Sequence, residues 1–192
     1  MKQLLLISSI MLAGISSGYG DTISLTPASL SVEAGQTFTL DADISQVAHL
    51  YDYQFSLAYN PLVLAAENIT EGALFAETGD SFFLPGAINN KAGTIGLTYD
   101  TLQHQVSGVT GPGTLASIEF EAIGTGTSLI EFSPLEDLIL EDSHGNVLPV
   151  TAQSALVSTV IPEPVPSVML GLAFGLLWIG RRRAISAKGP RI

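Results

Sequence analysis

Four oxygen-donor side chains, Asp137, Glu141, Asp142 and Asn146, fall within a stretch of ten residues. Calcium takes about 6–8 oxygens, commonly from loops, and is the cation such donors would suit, although their spacing matches no EF-hand. Asp41 and Asp43 add a second carboxylate pair on a separate segment. The three histidines, His49, His104 and His144, lie in separate loops, with no pair at zinc-ligand spacing. The chain has no cysteine, which excludes thiol catalysis, cysteine-ligated metal and disulfides. It has no nucleophile elbow, phosphate loop or zinc-binding helix. A glycosidase needs two apposed carboxylates across a cleft, and nothing here pairs them. The chain is therefore read as non-enzymatic, with calcium the one cofactor worth testing. Sugar recognition wants an exposed aromatic platform. The single tryptophan, Trp178, lies in a C-terminal apolar run, which leaves Tyr99 and Phe82-Phe83 as the unassigned rings.

The charge is unevenly spread. Residues 21–161 hold one basic residue, Lys91, against seventeen Asp and Glu, a formal charge of −16, whereas the whole 192-residue chain carries −11. A surface this acidic excludes charge-driven binding to nucleic acid or anionic lipid. It suits a cation, a basic partner or solubility in salt.

The elements that must position these groups are strands. Ile23–Thr26, Phe38–Ile44 and Tyr51–Tyr59 alternate apolar and polar residues, and further runs follow at Thr94–Tyr99, Thr114–Ala122, Ser128–Phe132 and Ser154–Val160. Period two with β-branched and aromatic residues predicts strands buried on one face. Turn residues punctuate them at Ala34-Gly35, Asn60-Pro61, Asn89-Asn90, Gly111-Pro112-Gly113, Gly124-Thr125-Gly126 and His144-Gly145-Asn146. Only Leu62–Ala76 leaves room for a helical turn. About 140 residues of this kind make one all-β sandwich domain. On the long strand, Tyr51, Tyr53, Phe55, Leu57 and Tyr59 should face the core, and Asp52, Gln54 and Ser56 should face outward.

The run Tyr53-Gln54-Phe55-Ser56-Leu57-Ala58-Tyr59-Asn60-Pro61-Leu62-Val63-Leu64 is similar to the cohesin pattern of an alternating strand, a Tyr-Asp-Pro-like close and a following hydrophobic strand. The glycine-led run Gly113–Ala122, the hairpin Gly124–Ile130 and the acidic turn Asp142-Ser143-His144-Gly145-Asn146 resemble later parts of that pattern in the right order. The resemblance implies a nine-stranded jelly-roll β-sandwich related to carbohydrate-binding modules. It also implies that outward residues of the third strand, here Asp52 and Gln54, help recognise a dockerin-like secreted protein. Thr94, Gly96 and Thr98, expected outward on the neighbouring strand, would add little hydrophobic surface.

The ends of the chain carry a different message. Lys2, the apolar run Leu4–Ile15 and small residues at Gly18 and Gly20 have the parts of a secretory signal, residues 1–20. Residues 21–161 would be the sandwich domain. At the other end, Pro162-Glu163-Pro164 precedes an apolar run from Val165 to Gly180 and the cluster Arg181-Arg182-Arg183. The prolines break any helix before the span, which would reach about 24 Å at about 1.5 Å per residue. The arginines predict a cytoplasmic C-terminus, residues 186–192. This arrangement over residues 162–185 resembles the PEP-CTERM sorting signal of Gram-negative bacteria. It implies recognition by an exosortase, a transient stay at the inner membrane through a single transmembrane helix at about 165–180, and delivery to the cell surface or extracellular matrix. The expected function is binding of a secreted protein or an exopolysaccharide there. The alternative is a carbohydrate-binding module acting in polysaccharide breakdown.

Overall fold

The computed structural model describes residues 21–104 and 107–161. The expected leader, the Pro162-Glu163-Pro164 motif, the span, Arg181–Arg183 and the tail lie outside the described residues. In chain order the strands are β1 (Asp21–Thr26), β2 (Ser29–Glu33), β3 (Thr37–Ile44), β4 (Leu50–Ala58), β5 (Leu64–Glu71), β6 (Ser81–Leu84), β7 (Ile88–Asn89), β8 (Thr94–Leu102), β9 (Gly113–Ala122), β10 (Gly126–Phe132), β11 (Ile139–Asp142), β12 (Val150–Gln153) and β13 (Ala155–Val160). One helical turn, α1 (Ala73–Ala76), and a 3-10 turn at Leu135–Asp137 complete them.

Two sheets form a sandwich. The first runs β12-β1-β3-β9-β5; the second runs β2-β13-β10-β4-β8-β6, with β11 also paired to β4 and β7 to β8. Thirteen strands stand where nine were expected among these residues. The chain changes sheets at Pro27-Ala28 and again at Ser154, adding β2 and β12 beside the expected runs Ile23–Thr26 and Ser154–Val160. Short β6 and β7 add edge pieces that are too brief to leave a periodic signal. The window Leu62–Ala76 is mostly strand β5; only its last four residues coil.

Inward residues of the two sheets interdigitate, as the alternation requires. Tyr53, Phe55, Leu57 and Tyr59 are buried as expected, and the core includes Ile23, Leu40, Ile44, Phe120, Phe132 and Val157. Phe55 meets Phe132 edge-on at 5.6 Å, and Tyr53 meets Phe75 of α1 at 5.2 Å, arrangements that aromatic quadrupoles favour. Two side chains depart from the expected pattern. Tyr51 is only half-buried, because its hydroxyl reaches out to donate to the His104 carbonyl. Ser56 is buried rather than outward, because the 3-10 turn folds over it and the Asp137 carboxylate accepts its hydroxyl at 2.8 Å.

Candidate functional site

The outer face of the second sheet is built by four neighbouring strands, β11, β4, β8 and β6. The strand registers align Glu141, Asp52, Thr101 and Phe82 in one cross-strand row and Ile139, Gln54, Tyr99 and Leu84 in the next. Asp52 and Gln54 are thus central, each half-buried because β4 is flanked on both sides. Asp52 faces Glu141 directly, and burial together with that neighbouring charge pushes its carboxyl up to about 6.

A bulge changes what this face offers. Phe55 pairs with Thr98 but Leu57 pairs with Ile95, so β8 carries an extra residue at Gly96-Leu97. The extra residue reverses the alternation beyond it. Thr98, expected outward, is fully buried and its hydroxyl oxygen accepts the Gly86 amide at 3.2 Å. Leu97 comes to the surface instead, 44% exposed, on the strand paired with the one that carries Phe82 at 52% and Leu84 at 51%. The face expected to lack hydrophobic surface therefore has apolar anchors beside a carboxylate pair.

The opposite face, on the first sheet, is chemically different. Its rows join Thr26, Asp41, Ser117 and Thr70, and Ser24, Asp43 and Thr114. Ser117 donates to Asp41 at 2.6 Å and Thr114 donates to Asp43 at 2.7 Å, so both carboxylates are engaged by neighbouring hydroxyls.

The family model for the Cohesin domain matches residues 23–154. The chain belongs to the cohesin family. Among curated proteins nothing matches it. Solved cohesins share the fold. A non-cellulosomal cohesin from the hyperthermophilic archaeon Archaeoglobus fulgidus is 18% identical with a TM-score of 0.58, over 73% of this chain and 91% of that one. A type II cohesin domain from the cellulosome of Acetivibrio cellulolyticus is 17% identical with a TM-score of 0.58, over 72% and 95%. A type I cohesin–dockerin complex from Clostridium thermocellum matches at 14% identity and a TM-score of 0.60, over 74% and 96%.

In this cohesin domain the four expected calcium donors do not converge. Asp137 holds Ser56, and Glu141 faces Asp52. Asp142 holds its own turn, accepting the His144 and Asn146 amides at 2.8 and 3.0 Å and the Asn146 side-chain amide at 2.8 Å. Those bonds favour its ionised form and lower its carboxyl to about 2. Among the described residues no group of three or more His, Asp or Glu is placed to hold a metal ion. The residues do not fit a calcium site. Two of the three histidines do meet in space: His49 and His144 line a cavity of about 350 Å³ with Ser107, Asp142 and Ser143. His104 instead pairs with Asp80 at 2.5 Å.

Proposed function

We propose that this cohesin domain is a non-enzymatic docking module that binds a secreted protein of dockerin-like type on the β11-β4-β8-β6 face. The observation carrying this reading is the contrast between the two sheet faces. One presents Phe82, Leu84 and Leu97 on β6 and β8, to one side of Asp52 and Gln54; the other presents hydroxyls tied to carboxylates. Tight protein interfaces rest on a few apolar or aromatic anchors ringed by polar groups, and only the first face supplies that mixture. Solved cohesin–dockerin complexes among the similar structures support a protein as the occupant. An exopolysaccharide is the weaker reading. Phe82 is the one exposed aromatic ring among the described residues, and one ring is no stacking platform. The alternative role in polysaccharide breakdown rests on the same missing platform.

Delivery belongs to the same proposal. The leader, Pro162-Glu163-Pro164, the apolar run and the arginines support export, transient anchoring in the inner membrane, and handling by an exosortase toward the surface or matrix of a Gram-negative bacterium. Comparing capture from the secreted fraction by wild type, Phe82→Glu and the opposite-face variant Thr39→Glu tests the docking reading. A protein retained by wild type and Thr39→Glu and lost with Phe82→Glu supports it. Equal capture by all three, or retention of polysaccharide alone, contradicts it.

A further inference from the structure

Beneath the β8–β6 edge of the proposed docking face, five strands bring polar groups to one point between the sheets. Asp100 (β8) and Tyr53 (β4) are both fully buried. Glu71 lies on β5, Ser81 on β6, and the Leu115 carbonyl comes from β9. The Ser81 hydroxyl donates to Glu71, and this bond ties the edge strand of one sheet to the edge strand of the other.

The hydrogens there can be counted. A tyrosine hydroxyl has one hydrogen. The Tyr53 hydroxyl is shared between the Leu115 carbonyl, in a very short contact, and Asp100 Oδ2 at 3.3 Å. A carbonyl can only accept, so Tyr53 gives its hydrogen to Leu115. The remaining contact with Asp100 is then favourable only if the carboxyl brings a hydrogen of its own. Asp100 also lies within hydrogen-bonding reach of the Glu71 carboxyl, and two carboxyls can bond only when one of them holds a proton. Its Oδ1 is buried with no hydrogen-bond partner, which costs an ionised carboxylate far more than a neutral acid.

We infer that Asp100 is carried as a neutral carboxylic acid in the folded protein, and that its ionisation releases the polar cross-link holding β5, β6 and β8 together. The groups facing it are Glu71 from β5 and Tyr53 from β4, with the uncharged Ser81 from β6 and Leu115 carbonyl from β9; α1 contributes apolar Phe75. No cation faces it from these elements. Burial first, and then the Glu71 charge, push its carboxyl up to about 7, outweighing the Thr101 backbone amide, which favours the ionised form. A folded value above the unfolded one means that this group's stabilisation is complete below the ordinary value of 3.8 and is lost as the pH rises through about 7. The latch is independent of what docks outside, so its test reads stability alone.

The experiment is thermal unfolding of the full chain by circular dichroism from about pH 5 to about pH 8.5, beside Asp100→Asn. Asparagine keeps the shape and supplies a permanent hydrogen donor. The wild type should lose melting temperature as the pH rises. Asp100→Asn should lose less, and at the alkaline end it should melt at or above wild type. The inference is overturned if Asp100→Asn keeps the full wild-type pH dependence or melts below wild type by the same amount at every pH. Should the variant not fold, the carbon-13 shift of the Asp100 carboxyl in the wild-type chain decides. A midpoint near 7 supports the neutral acid, and one below about 5 rules it out.

Discussion

Glu141 on β11 stands directly opposite Asp52 on β4, so two carboxylates share one place on the outer face of the second sheet. Burial and the facing charge raise the Asp52 carboxyl to about 6. The stabilising effect of holding its proton is complete below the ordinary 3.8 and disappears as the pH rises through about 6. Asp52→Asn should therefore melt above wild type near about pH 8 and melt alike near about pH 3. Melting curves at the two ends of that range check this, and a variant less stable at the alkaline end contradicts it.

The core prediction rests on Phe55, which is fully buried between Tyr53 at 6.1 Å and Phe132 at 5.6 Å. Phe55→Ala should cost about 3–5 kcal/mol, from lost transfer energy and the cavity left behind. Urea unfolding measures it. A loss under about 1 kcal/mol would mean that Phe55 is not packed in the core.

Gly86 follows β6 and crosses the bulge of β8. A Cβ there would stand 2.1 Å from the Gly96 carbonyl oxygen and 2.7 Å from the Thr98 hydroxyl oxygen. Because the nearest atom is backbone, relief requires β6 and β8 to separate. Gly86→Ala should cost about 1–3 kcal/mol in urea unfolding and should weaken partner capture along with stability. The same substitution at Gly35 strains a left-handed turn (φ 89°) in the link between β2 and β3 but should leave capture intact.

These predictions draw on features that differ in how plainly the sequence carries them. The alternation from Tyr53 to Tyr59 was legible because period two and burial coincide there, and the order of strand-like runs was enough to suggest the family. The bulge was not. Gly96-Leu97 breaks the alternation by one residue, and only pairing with Phe55 and Leu57 reveals that Thr98 goes in and Leu97 comes out. The burial of Ser56 was hidden for a related reason: the turn that covers it lies about eighty residues further along the chain. Donor counting grouped Asp137, Glu141, Asp142 and Asn146 by nearness in sequence, whereas Asp137 turns to Ser56, Glu141 faces Asp52, and only Asp142 and Asn146 meet, closing their own turn. Asp52 and Gln54, taken from the family resemblance, lie on β4 in the cross-strand rows of Phe82 and Leu84.

Delivery has its own test. Glu163 is the single acidic residue of the C-terminal segment 162–192, and replacing it removes the charge between two prolines while leaving the apolar run intact. Glu163→Ala should remain in the inner-membrane fraction while wild type reaches the surface or medium. Equal distribution of the two in cell fractionation contradicts the sorting proposal.

A protein partner seated on the β11-β4-β8-β6 face should be trapped there in place. Site-specific photo-crosslinking in the native cells tests it most directly, with a photoreactive residue placed at Phe82 in one strain and at Thr39, on the opposite sheet face, in another. A discrete protein adduct should form from position 82 and none from position 39. An adduct from position 39 alone, or no protein adduct from position 82, would contradict it.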